Sequence, residues 1–153
     1  MMIDLGPCVL RAMTLEDADW AGPVLAGTDP WRTLGYGAAL LTQYLGSGDP
    51  SLARFTVWVE DQRAGVVALR YPWLRGPFLE LLAITQPGRG LGTVVVAWAV
   101  ERGGGNLWTS VSRFNTEARR FYERQGFAEA AVLPDLIKPG FDEVLMRRRG
   151  DGG

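Results

Sequence analysis

The chain has no histidine and a single cysteine, and these two absences exclude more chemistry than its length of 153 residues does. Ser-His-Asp and Cys-His triads, imidazole general bases and histidine-ligated zinc are all ruled out, so no metal is expected. Acids and bases must come from carboxylates, tyrosine, lysine, the lone thiol or a terminus. Cys8 has no partner for an internal disulfide and reads as a strand core residue, since nothing basic nearby would lower its pKa. Basic residues number 16, of which only Lys138 is lysine, against 17 acidic ones, a balance of -1. A nucleic-acid binder ordinarily shows a basic excess, so nucleic acid is not expected as a partner. The longest nearly apolar run, Val94 to Val100, falls far short of the roughly 20 residues that cross a bilayer. The first residues carry Asp4 and no basic stretch of signal-peptide type. A cytoplasmic location without membrane contact is the expectation.

What is present suffices for one domain, expected over residues 1–149, with 150–153 as a disordered tail. The composition is 47% hydrophobic and 10% aromatic, enough for a core and too unbiased for a fibrous or disordered chain. A strand is expected over Leu5 to Met13. Thr14 then caps a helix over 15–26, with Asp17 three residues on, and a second helix is expected over 33–45. Arg54 to Glu60 and Ala64 to Tyr71, rich in Val and aromatics, flank Asp61-Gln62-Arg63 as a β-hairpin. Phe78 to Ile84 is another apolar run, broken only by Glu80. A helix over Leu91 to Arg102 follows, closed by Gly103-Gly104-Gly105, and then a strand over Leu107 to Ser112. Asn115 to Gln125 is helical, with Ala118, Phe121 and Tyr122 on one stripe, and Gly126 ends it. Phe127 to Leu133 and Phe141 to Arg148 read as two antiparallel strands joined by a loop holding Pro134 and Pro139. The class is α+β (α/β in looser usage): a single mixed, mostly antiparallel sheet flanked by helices.

The turn Gln86-Pro-Gly-Arg-Gly-Leu-Gly92 lies between a strand and a helix, where backbone N–H groups can converge on an anion. It lacks the Lys-Ser or Lys-Thr of a Walker A loop and the three-glycine spacing of a dinucleotide fingerprint. Downstream, Asn115-Thr-Glu-Ala118-Arg-Arg-Phe121-Tyr122-Glu-Arg-Gln-Gly126-Phe127 resembles the Asn-x-x-Ala-x-x-Phe/Leu-Tyr-x-x-x-Gly-Phe segment of the GNAT superfamily of acyl-CoA-dependent N-acyltransferases. All six fixed positions match. The strand at Glu80-Leu-Leu82-Ala-Ile84 followed by Gly90-Leu-Gly92-Thr93 resembles that family's pyrophosphate-binding segment. Together the two motifs span about residues 78–127. One position departs: Pro87, which has no N–H to donate, stands where the family pattern opens on Arg or Gln, with Gln86 one residue early.

The resemblance implies attack by a primary amine on the thioester of acetyl-CoA, with the pantetheine arm along the backbone of Leu82, Ala83 and Ile84. Gly88, Arg89, Gly90, Leu91, Gly92 and Thr93 would hold the pyrophosphate. Asn115 would contact the pantetheine arm and cap its helix at once, and Arg120, among several arginines there, could reach the nucleotide phosphate. A backbone N–H near Leu82 or Ala83 would serve the oxyanion. Tyr122 would protonate the leaving thiolate, a transfer uphill by only about 2 kcal/mol from a phenol near pKa 10.

Glu80 is the candidate base, because an ionised carboxylate in an apolar strand is costly unless it faces a polar cleft. The gap between a free glutamate and an alkylammonium is roughly 6 pKa units, about 8 kcal/mol, so it would need a raised pKa, a chain of waters or a substrate already partly deprotonated. Trp20, Trp31, Tyr36 and Tyr44 fall in the N-terminal region that, by the same resemblance, walls the acceptor cleft. The acceptor stays open between a small amine and a protein N-terminus or lysine. A non-catalytic acyl-CoA-binding module is the reading from another class, and a homodimer is a common habit of the family.

Overall fold

The structure, a computed structural model, describes residues 2–150. In chain order its elements are β1 (Met2–Asp4), β2 (Val9–Ala12), α1 (Leu15–Ala26), α2 (Trp31–Leu34), α3 (Ala38–Leu45), β3 (Leu52–Val59), β4 (Gln62–Arg70), β5 (Phe78–Ile84), α4 (Leu91–Gly103), β6 (Asn106–Ser112), α5 (Thr116–Arg124), β7 (Ala128–Lys138) and β8 (Phe141–Arg149). The strands form one sheet in the order β1-β2-β3-β4-β5-β6-β8-β7. Every neighbouring pair is antiparallel except β5 and β6. The expected α+β class with a single mixed sheet is the fold observed.

Each face of the sheet carries its own core. Between the sheet and α4 and α5 lie Leu10, Val57, Val67, Leu79, Leu107, Val144 and Met146, met by Val95 of α4. On the other face Ala18 and Leu25 of α1 and Leu41 and Leu45 of α3 pack on Leu52, Val66 and Leu81 of the sheet. Helix α1 starts with the expected reciprocal cap: the Asp17 N–H donates to Thr14 Oγ1 at 3.1 Å and the Thr14 N–H to Asp17 Oδ2 at 3.0 Å. Burial works to raise the Asp17 pKa, but the Thr14 N–H and the Arg63 guanidinium, 2.8 Å away, outweigh it and hold it below the usual value.

Four expected boundaries shift. The hairpin placed around Asp61-Gln62-Arg63 turns at Glu60-Asp61, because Gln62 and Arg63 pair with Val59 and Trp58 as the start of β4. The strand placed over Leu5 to Met13 is instead the β1–β2 hairpin, because Gly6 takes a positive φ of 92° and Pro7 interrupts pairing. Cys8, buried as expected, sits in that turn and not in a strand, and burial pushes its thiol pKa up. The helix placed over 33–45 is two helices, broken at Gly35-Tyr36-Gly37, where Gly35 is left-handed. Strand β7 runs through Pro134, which is tolerated because β7 is the outer strand of the sheet. It returns into β8 by a two-residue turn at Pro139-Gly140. Of the expected tail, residues 151–153 lie outside the described residues, and Gly150 donates its N–H to the Gly105 carbonyl.

Candidate active site

The parallel pair β5–β6 opens the sheet. The two strands pair at Phe78–Trp108 and Leu79–Thr109, then part, while β5 continues to Ile84 and β6 to Ser112. Two further features shape β5. The pairing with β4 shifts register between Ala68 and Leu69, so that Glu80 bulges out of the ladder; bulges of this kind re-aim side chains beside functional sites. At the far end the Thr85 N–H donates to the Ala64 carbonyl at 2.8 Å. Alternation along the strand then turns the backbone of Ala83 toward β4 and that of Leu82 and Ile84 into the opening. Of the two amides named for an oxyanion, Leu82 faces the gap.

The glycine-rich turn closes one end of the opening. Gly88 and Gly90 both have positive φ, 82° and 68°, and Gly90 is the left-handed N-cap of α4 with no side chain capping the helix. The first-turn amides of α4, at Leu91, Gly92 and Thr93, therefore begin a 13-residue helix whose first turn carries no acidic residue, an arrangement suited to an anion. Gly88, Arg89 and Gly90 are exposed, and the Arg89 side chain donates to Gln86 Oε1 at 3.1 Å. Gly92 is half-buried: a Cβ there would lie 3.1 Å from the Phe121 ring. Gln125 Nε2, donating to Thr93 Oγ1 at 3.2 Å, ties the end of α5 to the same turn.

Helix α5 brings the second motif alongside. Asn115 is its N-cap, Oδ1 accepting from the Ala118 N–H at 3.3 Å. Tyr122 is 7% exposed and meets Phe121 and Phe127 edge-on. Burial pushes its phenol up to about 12, with the neighbouring Thr109 hydroxyl opposing. Thr109 is the last residue of β6 that pairs with β5, so Tyr122 stands at the point where the strands part. Arg120 is exposed on α5. Arg113 pairs with Asp142 at 3.2 Å.

On the opposite face the bulge presents Glu80 to α3. Arg70 Nε donates to its Oε1 at 2.5 Å and an Arg70 terminal nitrogen to Oε2 at 2.9 Å, and the Tyr44 hydroxyl donates to Oε2 as well. The far side of Arg70 contacts Asp49 at 3.0 Å and Ser51 Oγ at 2.8 Å. Trp20, Trp31, Tyr36 and Tyr44 are half-buried against the core of this face.

A model described as the acetyltransferase (GNAT) family matches residues 15–127. The chain belongs to the GNAT family. Solved structures share its fold. An acetyltransferase from Thermus thermophilus is 22% identical and superposes with a TM-score of 0.73 over 95% of this chain and 98% of that one. The ribosomal-protein-S18-alanine N-acetyltransferase of Escherichia coli is 16% identical, with a TM-score of 0.70 over 93% of each chain. A Bacillus anthracis acetyltransferase in complex with acetyl coenzyme A is 18% identical, with a TM-score of 0.58 over 68% of this chain and 65% of that one. No match is found among curated proteins.

The GNAT motifs account for the residues that line β5, α4 and α5, but three neighbours of the site went unread in the sequence. Arg70 grips Glu80, Thr109 lies against Tyr122, and Glu143 on β8 is buried with, among the described residues, only the Ser112 hydroxyl hydrogen-bonded to it, at 2.6 Å. A signal for Glu143 existed: beside Asp142, it is a carboxylate in a segment otherwise apolar from Phe141 to Met146. Among the described residues no group of three potential metal ligands occurs, and no helix is long and apolar enough to cross a membrane.

Proposed function

We propose that the chain transfers an acetyl group from acetyl-CoA to a primary amine by direct attack on the thioester. The observation that carries this is the parting of β5 and β6 after Leu79–Thr109, which leaves the backbone groups of Leu82 and Ile84 that point away from β4 with no strand on that side, between a glycine turn at one end and Tyr122 at the other. In this reading the pantetheine arm lies along Leu82, Ala83 and Ile84 and hydrogen-bonds to the backbone of Leu82 and Ile84, while the backbone of Ala83 stays paired with β4. The pyrophosphate sits on the turn and the first amides of α4, from Gly88 to Thr93, with Arg89 as counter-charge and Arg120 toward the nucleotide. The Asn115 amide, fixed by its capping bond, borders the arm. The Leu82 N–H stabilises the oxyanion as the carbonyl becomes tetrahedral. Tyr122, protonated throughout the neutral range, donates to the departing thiolate.

Glu80 faces the acceptor side. Both its oxygens are occupied by Arg70 and Tyr44, so taking a proton from an amine directly would require displacing one of them. Its role here is to fix that wall and to pass protons through water at most. The acceptor in this reading is a small-molecule amine, bounded by Trp31, Tyr36 and Tyr44. Calorimetry with acetyl-CoA, ATP and NAD, followed by a thiol-release assay on a panel of primary amines, tests the proposal. Binding of acetyl-CoA in preference to both nucleotides and turnover on at least one amine are expected. Binding without turnover on any amine points to a non-catalytic acyl-CoA module, and no binding of acetyl-CoA sinks both.

A further inference from the structure

Glu143 has surroundings opposite in kind to those of Glu80. It is 4% exposed. Val144 and Met146 turn into the core under α4 and α5, so alternation turns Glu143 to the other face of the sheet. That is the face of α1 and α3, and Ser112 stands directly opposite it on β6. The two carboxylates thus occupy the two arms of the opening on one side: Glu80 on β5, Glu143 beside the end of β6. The Ser112 hydroxyl donates to Glu143 Oε2 at 2.6 Å. Among the described residues Oε1 takes no hydrogen bond and no salt bridge reaches the carboxylate. Oε1 is also not one of the sealed, partnerless polar atoms, which are Thr56 Oγ1 and Trp58 Nε1.

The groups around Glu143 do not neutralise it. Across β7 it faces Leu133. From the α2–α3 turn comes Tyr36, whose phenol is pushed up first by burial and then by the Glu143 charge, and so stays a neutral hydroxyl. The neighbouring cations are engaged elsewhere: Arg113 with Asp142 at 3.2 Å, and Lys138 over the Phe141 ring at 5.5 Å. A buried carboxylate without a cation is unfavourable. One that keeps an unpaired oxygen on the acceptor side of a transferase is matched by a cation that arrives with the substrate.

We infer that Glu143, with Ser112 and Tyr36, forms the subsite that receives the acceptor's primary ammonium group and takes its proton before attack. The inference rests on the acetyl-transfer reading above and names the proton route which that reading leaves unassigned. The ammonium gives one proton to the Glu143 carboxylate, leaving a neutral amine beside a neutral carboxylic acid. The nitrogen lone pair then forms the C–N bond to the thioester carbonyl, and the C–S bond breaks. The second proton shed by the nitrogen balances the one that Tyr122 supplies to the thiolate, and the proton on Glu143 leaves to solvent. One proton is released for each amide formed. Burial raises the Glu143 pKa, with the Ser112 bond opposing, and this narrows the gap to an alkylammonium that makes an ordinary glutamate a poor base.

The test uses the full chain, acetyl-CoA and six amines: phenylethylamine, tryptamine, glycinamide, spermidine, lysine methyl ester and an alanyl tetrapeptide. For E143Q, kcat/KM on every amine that the wild type acetylates is expected to fall at least 100-fold. Acetyl-CoA affinity by calorimetry should stay within two-fold, and the acid limb of the kcat/KM profile should disappear. For S112A the limb should move to higher pH, because the carboxylate loses its donor. Wild-type kcat/KM with an unaltered limb in E143Q overturns the inference and leaves acetyl transfer intact. If E143Q does not fold, an unmoved limb in S112A overturns it equally. A wild type that binds no acetyl-CoA, or acetylates none of the six amines, overturns the acetyl-transfer reading and this inference with it.

Discussion

Arg70 holds Glu80 by two nitrogens, at 2.5 and 2.9 Å, across a β-bulge that turns the carboxylate out of the ladder. Both side chains are mostly shielded, 27% and 21% exposed. Removing one partner therefore leaves a charge desolvated without compensation, which costs more than the pair contributes. Arg70→Met is expected to lose about 1–3 kcal/mol, seen as a melting temperature lower by several degrees. The double variant Arg70→Met/Glu80→Gln should recover part of that loss, because the shielded Glu80 no longer carries a charge and the carboxylate left without its cation is the more exposed Asp49. A double variant less stable than Arg70→Met would show that the pair is not the source.

Tyr122 offers a cleaner separation of packing from chemistry. Its ring is buried against Phe121 and Phe127, and Tyr122→Phe keeps that ring while removing the hydroxyl. Melting temperature should change by no more than about 2 °C, and acetyl-CoA affinity should hold, while kcat falls on the order of 100-fold. Unchanged turnover in Tyr122→Phe would assign the thiolate proton to solvent.

The contact between α1 and α3 is set by Gly22, where a Cβ would lie 1.8 Å from Thr42 Oγ1 and 2.8 Å from the Ala38 carbonyl. The second distance involves backbone, which a rotamer change cannot relieve. Gly22→Ala should push α3 outward at a cost of about 1–3 kcal/mol. Since α3 carries Tyr44 onto Glu80, KM for the amine should rise more than KM for acetyl-CoA. Steady-state kinetics against each substrate in turn checks this.

The segment from β5 to α5 was legible because glycines punctuate it and two motifs fix its spacing. Phe78–Ile84 is predicted to the residue, and Asn115 caps α5 where the motif opens. The N-terminal third was less legible for local reasons. A reversal at Gly6-Pro7 hides inside an apolar run, and one left-handed residue at Gly35 splits an otherwise continuous helical pattern. The partners within the site resisted sequence reading for a different reason. Whether Arg70 meets Glu80 depends on a one-residue bulge, and a single-residue slip exchanges the two faces of a strand. Glu143 depends on which strand lies across from it, and β8 inserts between β6 and β7 out of chain order.

Glu143 also makes a prediction about stability that is independent of any acceptor. Its pKa is raised in the folded protein, whereas in the unfolded chain it titrates near the ordinary value of about 4.3. Below that pH the carboxyl is protonated in both states and the fold carries no penalty from it. As pH rises through the raised folded value, the native state must hold a buried charge that the unfolded chain holds in water, and stability is lost. Glu143→Gln removes the charge and keeps the shape. Its melting temperature should exceed that of the wild type by a few degrees at pH 8, and the difference should shrink toward zero as pH falls to about 4. Every other carboxylate titrates identically in the two proteins, so the difference between their melting curves isolates Glu143. A variant less stable than wild type at pH 8, with a gap that does not vary with pH, would mean that Glu143 is a compensated structural group and not a charge awaiting a partner.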